Sequence, residues 1–121
     1  VRDFKIKSIL TSFQTQAKNL QKIEGRYGVK ANTSGSCASP TNGSLFSPLG
    51  HTSKASTPVG AIAQSMNILL GSATHPPVCH SNASSWMVAV PLVSDPNAIF
   101  CSDSTGALKT LPAMPNGTVC K

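Results

Sequence analysis

A chain of 121 residues with 40% hydrophobic content is large enough to bury one core and too short for two independent domains of ordinary size. Aromatic residues make up only 5%, so that core must be built from Val, Ile, Leu and Ala, with Trp86, Tyr27 and four Phe residues as its few large pieces. No segment approaches about 18 consecutive apolar residues, which excludes a membrane-spanning helix within this sequence; of the net charge of +6, most belongs to the first 30 residues, where seven of the ten Lys and Arg residues lie against Asp3 and Glu24.

The first element is an amphipathic helix. From Ile6 the apolar positions run Leu10, Phe13, Ala17, Leu20, Ile23 and Tyr27 in steps of three and four, a continuous stripe on one side of a helix expected over 1–27. At about 1.5 Å per residue it would reach about 40 Å, more than a domain of this size needs, and no Ser, Thr or Asn cap precedes Val1. Both features are expected of a helix cut from a longer one. Lys18, Lys22 and Arg26 stand at i, i+4 and i+8 and form a basic stripe beside the apolar one. A solvated face, or one meeting acidic groups of neighbouring subunits, is the plain reading. DNA or a membrane surface is the other class of partner, although no aromatic residues interleave the basic ones as a single-strand binder would want.

After Gly25 and Gly28, residues 32–44 are crowded with Ser, Gly, Asn, Thr and Pro and read as a long loop anchored by Cys37. Leu45, Phe46 and Leu49 make a short apolar patch. Thr57 and Pro58 then supply a cap and a first-turn proline, and Ile62, Met66 and Leu69 recur at helical spacing, predicting a second helix over 58–70 that Gly71 can end. From Ser85 the period changes. Trp86, Val88 and Val90 alternate with Met87 and Ala89, Asp95-Pro96-Asn97 is turn chemistry, and Ile99, Phe100 and Cys101 form a second run. Asp103-Ser104-Thr105-Gly106 marks another turn before a third strand over 107–111, ended by Pro112 and Pro115. The reading is a single α+β domain over 1–121: a long N-terminal helix (1–27), a connecting region with a short helix (28–84), and a small antiparallel sheet with a C-terminal loop (85–121). Trp86, Val88 and Val90 should cover the helix stripe near Phe13 and Leu20.

Four cysteines in a weakly charged chain point to two disulfides and an oxidising compartment. Cys37, Cys79, Cys101 and Cys120 are too dispersed for zinc spacing. Of the three pairings, Cys37 with Cys79 and Cys101 with Cys120 would each clip a loop-rich segment, and the other two stay open. No catalytic constellation stands out: His51, His75 and His80 are scattered and read as solvated loop residues, no G-x-S-x-G turn occurs, and Cys79 and His80 point to opposite faces of an extended chain. Neither enzyme activity nor a cofactor is expected. Asn32, Asn42, Asn82 and Asn116 each open an N-x-S/T triplet, which in a secreted eukaryotic protein would accept glycan.

Taken in order, the segment from Ile6 to Tyr27 closed by Gly25-Arg26-Tyr27-Gly28, then Ser85-Trp86-Met87-Val88-Ala89-Val90-Pro91-Leu92, then Phe100-Cys101-Ser102-Asp103-Ser104-Thr105-Gly106, resembles the soluble domain of bacterial type IV pilins and of the pseudopilins of type II secretion systems. The family's apolar N-terminal half-helix, with its processing site and glutamate, has no counterpart in the 121 residues. The resemblance implies a helical spine packed on an antiparallel sheet with a C-terminal disulfide loop, and a structural subunit of a filament serving adhesion, motility, secretion or DNA uptake. It implies self-assembly with other pilin subunits, handling by inner-membrane assembly machinery through the missing half-helix, and a location in an extracellular filament or at the cell surface after a membrane-anchored precursor. On this resemblance Arg2, Lys5, Ile6 and Ile9 meet neighbouring subunits, and Phe13, Leu20 and Trp86 belong to the core. Related pseudopilins bind calcium near the C-terminal loop, which brings Asp103 and Asp95 forward, although a turn role for Asp103 is the simpler reading. The alternative is a secreted, disulfide-stabilised binding or toxin-like domain.

Overall fold

The computed structural model describes residues 2–28, 30–47, 49–51, 56–115 and 117–120; the side chains of Arg2, Thr33, Ser34 and Ser56 lie outside that description. Two helices and five strands follow one another as α1 (Arg2–Glu24), β1 (Asn32–Ser36), α2 (Ser56–Ser72), β2 (Val78–Ser81), β3 (Trp86–Pro91), β4 (Ile99–Asp103) and β5 (Leu108–Leu111). The strands form one antiparallel sheet in chain order, a meander in which each strand pairs with its sequence neighbours.

Helix α1 hides the stripe that its sequence sets out. Ile6, Leu10, Phe13, Ala17 and Leu20 are fully buried. The last two members of the expected stripe depart from it. The helix stops at Glu24, where Gly25 takes φ +78° and its N–H donates to the Gln21 carbonyl at 2.7 Å, a left-handed stop that glycine adopts without a Cβ penalty. Tyr27 lies beyond the helix and packs against the core from there. Ile23 is 46% exposed. At 100° per residue it stands about 100° round from the centre of the buried stripe, so the run of two three-residue steps has carried it off the face.

Helix α2 packs against α1 and lays Val59, Ile62, Met66 and Leu69 into the same core. A hydroxyl bond from Ser65 to Gln16 Oε1, 2.8 Å, ties the two helices. It starts at Ser56 and runs to Ser72, through Gly71 rather than ending there; the Ala73 N–H still donates to the Leu69 carbonyl. Pro58 therefore sits in the first turn, where its missing N–H costs no helical bond.

The sheet has five strands, not three. The missed pair is β1, which lies in the stretch read as a long loop, and β2, which lies in the connecting region after the second helix. Strand β1 is Asn-Thr-Ser-Gly-Ser, with no apolar alternation to betray it, and it pairs on β2 with a register irregularity between Asn32 and Gly35. Its place at the sheet edge is held by backbone pairing, by the neighbouring disulfide and by the buried Asn32 amide, which donates to the Cys79 carbonyl of β2.

Both faces of the sheet are covered. Trp86, Val88 and Val90 point to the helices and share a core with Phe13, Leu20 and Phe46. Trp86 meets the Phe13 ring edge-on at 4.9 Å between centroids, and Phe13 stacks on Phe46 at 5.8 Å. Met87 and Ala89 point the other way and bury with Ile99, Cys101, Leu111 and Cys120, beside Met114 of the C-terminal tail. All six residues of β3 are buried as a result. A strand buried on both faces shows an unbroken apolar run, and Met87 through Val90 is one.

Candidate functional site: the C-terminal tail, its carboxylate and the cleft beside it

Two disulfides, Cys37–Cys79 and Cys101–Cys120, close at Cα separations of 5.0 and 5.8 Å, and no cysteine among the described residues is free. The first ties the chain just after β1 to the centre of β2. The second returns the tail across the outer face of β4, where Cys120 joins the small second core.

Asp103 connects the tail to the turn between β4 and β5. The residue is 1% exposed, and its carboxylate accepts four hydrogen bonds. Oδ1 takes the Thr105 N–H at 2.9 Å, the Thr105 hydroxyl at 2.5 Å and the Ala107 N–H at 3.3 Å. Oδ2 takes the Cys120 N–H at 2.7 Å. Burial works to raise the carboxyl pKa, and the donors at Cys120, Thr105 and Ala107 outweigh it, so the group is held below its ordinary value and stays ionised. Its lone pairs serve the fold. Asp95 sits in another turn, accepting from the Asn97 N–H at 3.1 Å, and among the described residues no three His, Cys, Asp or Glu side chains gather into a metal-binding group.

Beside this turn a cleft of about 450 Å³ opens against the outer face of α1. Its helical wall carries Gln14, Lys18, Asn19 and Lys22, and its far wall carries Thr105, with Tyr27 at one end. Gln14 is fixed in place. Its amide nitrogen donates to the Ala107 carbonyl at 3.0 Å and contacts the Asp103 carbonyl and Ser102 Oγ, and because carbonyls only accept, the amide oxygen must be the atom left toward the cleft. Lys18 and Lys22 were legible in the sequence as two of the three members of a basic stripe; the cleft they border depends on a turn about 85 residues away in sequence, for which local pattern carries no signal.

The remaining candidates fall elsewhere. Ile6, expected to meet neighbouring subunits, is fully buried against the sheet, so its side chain is not available to a partner; Ile9 is half-buried against the same core. Lys5 is exposed, and the side chain of Arg2 lies outside the described residues. At this end of α1 the large exposed apolar group is Phe4, 77% accessible and nearly opposite the buried stripe. Helix α1 is anchored there by Asp3, which accepts the Val93 N–H at 2.6 Å and the hydroxyl and N–H of Ser94. The Ser94 hydroxyl leads in lowering the Asp3 pKa, against a smaller opposing effect of desolvation.

His51 is not the solvated loop residue expected. Its ring is buried, with Nδ1 3.1 Å from Glu24 Oε1 and Nε2 2.7 and 2.9 Å from the Ser44 and Ser47 carbonyls. Two carbonyls can only accept, so Nε2 carries its hydrogen, and the ring pins the loop over 44–51 to the end of α1. His75 is exposed and His80 half-buried. Cys79 is disulfide-bonded, which removes the thiol from the Cys79-His80 pair. Of the sequons, Asn32 is 1% exposed. Its amide nitrogen donates to the Cys79 and Ser36 carbonyls and its oxygen accepts from Thr41, so the folded chain gives it no room for glycan. Asn42 and Asn82 are exposed, and Asn116 lies outside the described residues.

The fold and these sites define a two-disulfide α+β domain in which a long N-terminal helix lies on an antiparallel meander. No protein-family model matches the chain, and neither the curated proteins nor the solved structures hold a match to it. Two disulfides suggest an extracellular or secreted protein, and among the described residues no helix is long and apolar enough to cross a membrane.

Proposed function

We propose that this chain is the globular part of a structural filament subunit of the type IV pilin or pseudopilin kind, with no catalytic role of its own. The observation that carries the reading is the order of parts around α1. A 23-residue helix spends one face on the sheet and α2, while Phe4 and Lys5 stand free at its N-terminal end. The meander follows, and a disulfide-closed tail of sequence separation 19 ends the chain. A helix with an unused apolar group at one end can lie along neighbouring copies, and a tail fixed by Asp103 and a disulfide can present a defined outer surface. Lys5 and Ile9, with Phe4 in the place first given to Ile6, are then the described side chains toward neighbouring subunits.

Antibodies raised against the folded domain and applied to intact source cells and to sheared surface material test this. Gold label along fibres is the expected result. Label found only on freely diffusing monomer would overturn it in favour of a secreted binding or toxin-like domain, and glycan on Asn42 or Asn82 of that monomer would strengthen the second reading.

A further inference from the structure

We propose that the cleft between the outer face of α1 and the β4–β5 turn binds an acidic saccharide, with Lys18 and Lys22 meeting its carboxylate. The site stands independently of the filament reading. Charge comes first. The chain has ten Lys and Arg residues and only four acidic ones, and three of the four are committed internally: Asp3 to residues 93 and 94, Glu24 to His51, and Asp103 to its four donors. Only Asp95 stands exposed. Lys18 and Lys22, one helical turn apart on the cleft wall, have no ion-pair partner among the described residues, and a second copy of the chain has almost no acid to offer them. Their partner must bring its own negative charge.

The walls decide which anion. Phosphate sites favour bidentate arginine or a nest of free backbone N–H groups, to which lysine adds a point charge. No Arg lines this cleft, and the N–H groups of the turn are already used: Ser104 donates to the Trp86 carbonyl, Thr105 and Ala107 to the Asp103 carboxylate, and Gly106 to the Asp103 carbonyl. What remains is hydroxyl, phenol and amide chemistry: Tyr27 and Asn19 can donate and accept, whereas the Thr105 hydroxyl, its hydrogen given to Asp103, and the Gln14 oxygen accept only. A ligand that is mostly hydroxyl and carries an isolated carboxylate matches this better than one whose whole surface is phosphate. The Asp103 carboxylate on the same wall has its oxygens turned to N–H and O–H donors of the chain, and the two ammoniums outnumber it. A volume of about 450 Å³ lies within the range of small-ligand clefts.

The test is a titration of the isotope-labelled domain with trigalacturonate, followed by two-dimensional NMR. Maltotriose serves as a neutral control of the same length and inorganic phosphate as a simple anion. Expected are shifts confined to residues 14–22, 27 and 103–107 with trigalacturonate alone, weakening as salt rises. The K18Q/K22Q double variant should bind about tenfold more weakly, the loss of two exposed charge contacts, with an unchanged melting temperature. No response at millimolar trigalacturonate, an equal response to phosphate or to maltotriose, or unchanged binding by the double variant would each overturn the assignment.

Discussion

Replacing Asp103 with Asn keeps the shape of the side chain and removes one acceptor. Its Oδ1 position can still take the two bonds from Thr105 and the one from Ala107, so the amide nitrogen is forced to face the Cys120 N–H, which now donates to Oδ2 at 2.7 Å. The opposite orientation would lose three bonds instead of one. A charge-assisted bond at a residue only 1% exposed is lost, and a buried N–H is left facing another donor. Together these cost about 2–4 kcal/mol, which for a domain of this size lowers the melting temperature by about 8–16 °C. The pH dependence sharpens the test. Since the folded pKa of Asp103 lies below its unfolded value, the carboxylate contributes stability that is fully present above about pH 4 and lost as pH falls through the folded value. Asp3 is lowered too and loses its share in the same acid window, but it does so in both proteins. The gap between wild type and D103N, measured by urea denaturation from pH 7 down to pH 2, should therefore be widest at neutral pH and close on the acid side. No gap at pH 7, or a gap constant across the whole range, would refute the assignment of the four bonds to an ionised Asp103.

Trp86→Ala should cost about 3–5 kcal/mol in the same denaturation assay, because the indole is 1% exposed and its removal leaves the Phe13 ring facing a void. Replacing Cys101 and Cys120 together by Ser should lose about 3 kcal/mol and speed hydrogen exchange over 112–120, while far-UV circular dichroism keeps its helical signal, since α1 and α2 are held by the other core. Gly28→Ala should be worse than Gly25→Ala in thermal melts, by at least about 1 kcal/mol: both glycines have positive φ, but a Cβ on Gly28 would stand 2.7 Å from the Leu45 nitrogen, whereas one on Gly25 would meet nothing within 4 Å.

The elements that were legible from the sequence are those whose burial is written in their own period. The stripe from Ile6 to Leu20 and the spacing of Ile62, Met66 and Leu69 gave both helices, and the alternation from Trp86 to Val90 gave the central strand and its aromatic contact with Phe13. The stripe failed at its last two members: at Ile23, where two successive three-residue steps recur before the helix completes each turn, and at Tyr27, which lies beyond the helix end. Strand β1 was illegible because Asn, Thr, Ser and Gly carry no apolar period and its buried amide, Asn32, finds its partner on β2, 47 residues away; β2, an interior strand of four residues, Val-Cys-His-Ser, is too short to show a period of its own. His51 was misread for a related reason. Its partners, Glu24 and the Ser44 and Ser47 carbonyls, come from the end of a helix and a turn that only the folded chain brings together.

Asp103 shows how far a local reading extends and where it stops. The run Asp-Ser-Thr-Gly predicts a turn in which the carboxylate caps the N–H two residues on, and Thr105 fulfils it. The turn uses only one of the two oxygens. The second is taken by Cys120, 17 residues later, and the tail that Cys120 anchors covers the Met87 and Ala89 face of the sheet. Thr105 at the same time forms the far wall of the cleft whose near wall is α1. Stability of the tail and shape of the cleft thus meet at one ionised side chain, because a carboxylate has two oxygens that can face different elements, a division of labour that a neutral hydroxyl or a single carbonyl could not provide.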